Sequence, residues 1–556
     1  MKIKGTTVTW QLVAMALLLG TAWPYCQEGT LVEGSWKGLF METFQLTLDF
    51  RQDADGACTG SVLLSQDGQQ LQNDPLSNIR LEGDSLNFLI PAKSTAFAGR
   101  IDGALLTIKG QFTFPDGTRH PVFLEKAADE EYYAKGSPLD KARMKSDLAF
   151  LYQSILDLHP APYAYAGELD FRKLYQETDA AIDQVESMER FLLLASRLTD
   201  AVGCSHTGLR PPEEWIQPHD KVFLPVKLWY SKGKLWCLGS FTEGPTLPAG
   251  AEVRSINGQT AGQIVEELFT LIPAEGWNTT TKPALLNKEF EYYYAFLNPE
   301  PVFEFSFRAP NDDAVQSRTL RATDRATVKA RGDAKVPDNL YRQDVPLHFY
   351  MEETMDAAVL RLPTFGIPNL EAYLEALESI FEQLERQKIR HLILDLRGNQ
   401  GGHPVFAAIL FSYLTTGPFT WLDRGSGIVE ELAPLYHPME PAATPFGGQL
   451  YLLEDGACLS TAGHLIAHLQ VRGMGVMVGE KPGSFASCND NSIRRFLPYS
   501  QIQVNIARST FTIAFPEEGE PAIPVLDYEL EATLRDQLEG RDAVLEACFQ
   551  LIREQE

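Results

Sequence analysis

The sequence predicts a multidomain α+β protein. It reads as an N-terminal all-β barrel or sandwich, a helical subdomain, a second β-rich domain and a C-terminal α/β core. Three observations carry this. The chain has 556 residues, more than one hydrophobic core usually organises. The spacing of its apolar residues switches between the strand period of about 2 and the helix period of about 3.6. From about residue 346 buried strands alternate with amphipathic helices, which calls for a largely parallel sheet covered by helices.

Composition narrows the partners. Hydrophobic content of 44% and charged content of 22% are ordinary for a globular protein. The formal charge is 48 − 74 = −26, which argues against nucleic acid or an anionic membrane as the main partner, since both need clustered Lys and Arg. Residues 1–26 have the form of a secretory signal peptide: Lys2 and Lys4, an apolar run from Leu12 to Leu19, then small residues at Gly20 to Ala22. An exported protein is therefore expected, periplasmic, secreted or at the cell surface. No later stretch approaches the ~20 apolar residues of a membrane span. Trp23-Pro24-Tyr25 before Cys26 lacks the small residues of a lipidation site. The seven cysteines show no Cys-x-x-Cys spacing, so neither a zinc site nor a redox motif is expected, and they read as small buried residues.

Residues 31–127 carry short alternating runs such as Thr43 to Phe50 and Ala104 to Lys109, punctuated by Asp53-Ala-Asp-Gly56, Glu82-Gly-Asp84 and Pro115-Asp-Gly117. Roughly eight strands in a small barrel or sandwich fit that pattern. Residues 137–212 form the helical subdomain. Leu148, Leu151, Ile155 and Leu158 line one helix face that ends at His159-Pro160, and helices follow over Phe171 to Val185 and Met188 to Leu198. Residues 213–345 return to β character, and a strand ending at Ile256-Asn257-Gly258 precedes a helix from Ala261 to Leu271. That strand, turn and helix resemble about half of a PDZ domain, a module that captures extended peptides along a sheet edge. Residues 346–556 hold the α/β core: a strand at Ala357 to Pro363, a helix from Asn369 to Lys388, strands at Leu392 to Leu396, Gln449 to Leu453 and Gly475 to Gly479, and helices from Pro404 and from Ser460 to Gln470.

Three stretches carry candidate chemistry. Asp395-Leu-Arg-Gly-Asn-Gln-Gly-Gly402 joins a buried strand to a helix. Its glycines permit positive φ, and its N–H groups could face an anion. It is neither a dinucleotide fingerprint nor a phosphate loop, and a plain tight turn would look the same. In Leu453-Glu-Asp-Gly-Ala-Cys-Leu-Ser460 a strand runs into a turn that places Ser460 at a helix start, where a serine is an N-cap or a nucleophile aided by the helix dipole. In Asp200-Ala-Val-Gly-Cys-Ser205-His206 a histidine stands among glycines and hydroxyls, structural or catalytic on its own showing.

Together with Ala358-Val-Leu-Arg-Leu-Pro, Val478-Gly-Glu480 and Gly540-Arg-Asp-Ala-Val-Leu-Glu546, these stretches resemble the tail-specific (C-terminal-processing) serine protease family, in the branch of the tricorn core and the interphotoreceptor retinoid-binding protein repeats. The resemblance spans roughly residues 137–552 and implies a ClpP/crotonase-like α/β catalytic core. It implies Ser460 as nucleophile, His206 as general base, and Ser205 as the hydroxyl beside that base. It also implies an oxyanion hole from the N–H groups of Gly401 or Gly402 and of Thr461, with a glutamate further on, Glu518 among Glu517, Glu518 and Glu520. The serine–lysine dyad of the bacterial branch is not matched: its place reads Gly483-Ser484-Phe485, with Lys481 out of register. The expected function is an exported serine peptidase acting on peptide bonds, with the PDZ-like piece pointing to protein C-termini, a peptide or protein substrate and neither cofactor nor metal. The alternative is a non-catalytic binder of peptides or apolar ligands on the same scaffold.

Overall fold

The computed structural model describes residues 34–555 apart from 41–43, 53–57, 67–68, 103–106, 127–132, 134–135, 213–214, 216–219, 277, 333–339, 343–344, 353 and 517–523. The signal-like segment 1–26 and the acidic stretch with Glu517, Glu518 and Glu520 lie outside the described residues. The chain divides into two compact units, Met1–Tyr132 and Tyr133–Glu556.

The first unit holds nine strands in one antiparallel sheet, against the roughly eight expected. The outermost strands, Gln69–Pro75 and Ser77–Glu82, are consecutive in sequence with Leu76 alone between them, so the two sheet edges meet. The alternation read from the sequence sorts the side chains: in Ser85–Ile90, Leu86, Phe88 and Ile90 are buried and their neighbours are not. Phe97 stacks on Phe88 at 4.5 Å. Its ring lies across the paired Gly99 and Gly110, where any Cβ would come within 2.6 and 2.4 Å of it.

The second unit begins with helices Lys141–Leu158, Glu168–Ala181 and Met188–Val202. Asp140 caps the first through the N–H groups of Ala142 and Arg143, and Pro160 follows its end. Ser187 caps the third, and Gly203 at φ 66° terminates it. An antiparallel sheet follows, Val226–Ser231, Lys234–Ser240, Glu252–Ile256, Val302–Arg308 and Val315–Arg321. Thr260 and Gln263 form a capping box that opens helix Ala261–Thr270. The helices, this sheet and the segment Leu497 to Ala507 share one core, in which Leu148, Phe191, Val253, Phe305 and Val504 meet.

The α/β core carries a seven-stranded sheet ordered Leu340–Arg342, Val345–Glu352, Ala357–Arg361, His391–Asp395, Gln449–Glu454, Val476–Gly479, Tyr528–Glu529. The last five are parallel, with an antiparallel pair at one edge. Helices Leu370–Gln387, Pro404–Ser412 and Thr461–Gln470 fall within a few residues of the predicted bounds. Central strands buried on both faces read as unbroken apolar runs for this reason. Leu392 and Leu394 enter one core, and Ile393 enters another beneath the C-terminal helix Ala543–Gln555. Among the described residues Cys204, Cys237, Cys458, Cys488 and Cys548 are buried and form no disulfide.

Candidate active site

Strands His391–Asp395 and Gln449–Glu454 run side by side in the same direction, so the turns that leave them open at one end of the sheet, where α/β folds place ligands. Backbone and side-chain bonds lace the two turns together. Leu396 N–H donates to the Leu453 carbonyl at 3.0 Å, and Leu459 N–H to that of Asn399 at 3.1 Å. The Gly398 N–H donates to Asp455 Oδ1 at 3.0 Å. Asn399 is fully buried; its Nδ2 donates to Leu362 O at 2.9 Å and its Oδ1 accepts from Gly401 N–H at 2.8 Å. Arg397 ties the turn's base to Asp395 and Asp542.

Glycine is required where the turns touch. A Cβ on Gly401 (φ 94°) would lie 2.8 Å from Ser460 Cβ. One on Gly402 (φ 140°) would lie 2.2 Å from the Phe365 carbonyl carbon, because Gly402 bridges Phe365 in parallel register. Of the three N–H groups proposed from sequence for an oxyanion hole, Gly401's is engaged by Asn399, which removes it from that list. Those of Gly402 and Thr461 have no acceptor among the described residues. The Thr461 hydroxyl donates to Gly402 O at 2.6 Å and holds the two together.

Ser460 stands at the N-cap position of helix Thr461–Gln470, yet its side chain makes no capping bond. Its backbone sits at φ 53°, ψ −123°, a region that disfavours any side chain by roughly 1–3 kcal/mol. The buried hydroxyl is thus aimed away from the helix it precedes. It lies against Cys488, whose Sγ is 3.5 Å from His464 Nε2. Burial, with Glu275 and Asp490 nearby, pushes the Cys488 thiol well up, so it stays protonated. Burial, aided by the charge of His206, brings His464 down to about 4, so it stays neutral.

The histidine side is built by the end of helix Met188–Val202. Gly203 turns the chain into Cys204-Ser205-His206, and its carbonyl accepts from Gly276 N–H at 2.9 Å, which sets Glu275 against Ser205. The Tyr165 ring lies flush on Gly203 and Gly276, where a Cβ would come within 2.6 and 2.5 Å of it. Ser205 donates both its N–H, at 3.1 Å, and its hydroxyl to Glu275 Oε1. The same hydroxyl oxygen is 3.1 Å from His206 Nδ1. On the other edge of the ring, Nε2 is 3.5 Å from Asp490 Oδ2. Burial opposes charge on His206, but the Glu275 and Asp490 carboxylates outweigh it and raise its pKa.

The structure therefore brings Ser205 beside His206, and Ser460 beside Gly401, Gly402 and Thr461. No hydrogen bond joins Ser460 to His206 among the described residues. His206 lines a cavity of about 1870 Å³ together with Asp490, Gln400 and Leu459, the last two being the residues that precede Gly401 and Ser460 in the chain. Glu275 and Asp490 were not found by sequence reasoning, and no motif marks them; Asn399 lies within the glycine turn read from the sequence but was given no role there. Cys204 Sγ, a His206 ring nitrogen and a Glu275 oxygen lie within 4.8 Å of one another and are the described donors that could hold a metal. Such an ion would displace a thiol proton whose pKa burial pushes up to about 12, and would occupy the imidazole.

Residues 356–513 match the family model for peptidase family S41. No curated protein matches the chain in sequence. Among solved structures, mature CPAF superposes with a TM-score of 0.54 at 13% identity, over 74% of this chain and 97% of that one. CPAF complexed with lactacystin gives 0.52 at 13% identity over 74% and 98%. The photosystem II D1 C-terminal processing protease gives 0.36 at 15% identity over 72% and 98%. At these identities the likeness to CPAF is one of fold. The likeness to peptidase family S41 thus rests on residues 356–513, which hold both the glycine turn and the serine turn.

Proposed function

We propose that Ser460 is the nucleophile and His206 the general base of peptide-bond hydrolysis through an acyl-enzyme. The observation that supports this best is Ser460 itself: a non-glycine residue at φ 53°, its hydroxyl free of capping duty, beside two N–H groups without acceptors. The chemistry follows from the donor pattern. With the Ser205 hydroxyl donating to Glu275, its oxygen is left to accept from His206 Nδ1–H. That fixes the tautomer whose lone pair is on Nε2, the form a base needs. Ser460 Oγ attacks the scissile carbonyl as Nε2 takes its proton; the oxyanion falls to Gly402 and Thr461 N–H at the helix N-terminus. His206 then protonates the leaving amine, and water repeats the sequence on the ester. Glu275 takes the orienting role that resemblance had given to Glu518, which lies outside the described residues. The signal-like form of residues 1–26 supports an exported enzyme. The strand–turn–helix around Gly258 supports action near peptide C-termini.

A fluorophosphonate probe should label Ser460, identified by peptide mapping, and His206→Ala should end the labelling. The pH dependence has a definite sign. His206 is a base only when neutral, and Glu275 and Asp490 favour its charged form, so the labelling rate should rise with pH through a value above the ordinary 6.5. Asp490→Asn removes one of those carboxylates and should move this limb to lower pH. Labelling at another residue, or a limb that Asp490→Asn leaves in place, would refute the assignment.

A further inference from the structure

The cavity that His206 borders is charged in the opposite sense to the molecule. Arg210, Lys227, Lys288, Arg325 and Lys329 line it, against the acids Glu289 and Asp490, in a chain of formal charge −26. These cations come from separate elements. Arg210 ends strand Gly208–Arg210, four residues past the base. Lys227 is on Val226–Ser231, an edge strand. Lys288 adjoins Glu289, the kink in helix Thr281–Leu297. Arg325 and Lys329 are one helical turn apart on Arg325–Gly332, and Arg325 lies over the Tyr292 ring at 5.6 Å. None of the five is in an ion pair with a described residue.

Like charges gathered without ion pairs to described residues repel one another, and a surface with 26 surplus acids offers many ways to neutralise them. Their convergence on one cavity, interleaved with Tyr292, Tyr293 and Phe296, is the arrangement of a site completed by an anionic ligand. At about 1870 Å³ the cavity holds several residues of extended chain. We propose that it binds a peptide segment rich in Asp and Glu beside the scissile bond, so that the enzyme selects acidic stretches of its substrates. This rests on the peptidase reading above and names its substrate class.

The test uses the full chain and peptides of one length sharing a scissile sequence, flanked by acidic, neutral or basic residues. At low ionic strength the acidic peptide should give a kcat/KM about tenfold above the neutral one, and at about 0.3 M salt this margin should shrink to a few-fold. In the double variant Arg325→Glu, Lys329→Glu, at two exposed positions, the margin should vanish or invert toward the basic peptide. A melting curve checks its fold, and the wild-type salt comparison decides the question even if the variant unfolds. Equal turnover of acidic and neutral peptides overturns the proposal, as does a margin that survives charge reversal. A binding arm separates this from the catalytic reading: Ser460→Ala with a fluorescent acidic peptide should bind it more tightly than the neutral one, in a salt-dependent way. Such binding without any wild-type cleavage would retain the groove and sink the peptidase assignment. Cleavage without charge preference would do the reverse. Preferential capture of a single-stranded oligonucleotide, with no discrimination between peptides, would also overturn the proposal.

Discussion

Ser460→Ala should lower kcat/KM for peptide hydrolysis by about 10³- to 10⁶-fold while the melting temperature stays nearly unchanged. Both halves come from the local geometry. The lost oxygen makes no cap to helix Thr461–Gln470, so the helix forfeits none of the ~1 kcal/mol that a capping serine usually contributes. Alanine occupies φ 53° with about the same strain as serine. What disappears is the proposed attacking atom and one contact to a Cys488 thiol that is protonated and itself buried. The residual rate should be that of water attack assisted by Gly402 and Thr461. A loss below tenfold, or one matched by a collapse in melting temperature, would mean that Ser460 is structural.

Gly402→Ala should be among the most damaging single-methyl additions in the second unit. Its Cβ would meet the Phe365 carbonyl carbon at 2.2 Å, Gly366 N at 2.3 Å and Phe365 O at 2.5 Å. All three are main-chain atoms, so no rotamer change relieves the overlap. Either Phe365 leaves its bridge or the turn opens, and each displaces the N–H groups beside Ser460. A destabilisation of about 3 kcal/mol or more is expected, with fluorophosphonate labelling lost in the folded fraction. Gly398→Ala in the same turn is the control. Gly398 shares the left-handed backbone at φ 79°, but its Cβ would meet nothing within 4 Å, so only the conformational penalty of roughly 1–2 kcal/mol applies. Similar melting temperatures for the two variants would contradict the steric account.

The α/β core was legible because its central strands are buried on both faces and its helices carry their own stops: Asn369 and Lys388 bracket Leu370–Gln387 as read. The serine turn and the glycine turn were legible for a related reason, since each is a short local pattern at a strand end. Glu275 was not. It lies 70 residues from Ser205 and reaches it through a backbone bond between Gly203 and Gly276, a pairing that leaves no periodic or compositional trace. Asp490 and the groove cations arrive the same way, from elements that meet only in three dimensions. Gly463, three residues after the serine, is of the same kind: any Cβ there would lie 2.4 Å from Ser484 Oγ. That requirement belongs to the packing of two distant segments, and no single stretch of sequence states it.

The backbone at Ser460 also bears on how such a chain would drift if its chemistry ceased to matter. Glycine tolerates that conformation without a steric penalty, so replacing the serine there would stabilise the fold even as it ended catalysis. Mutation would then run downhill, toward glycine and away from the hydroxyl. Serine at a position where the backbone favours glycine is a cost to the fold, and the proposed attack by its hydroxyl accounts for that cost.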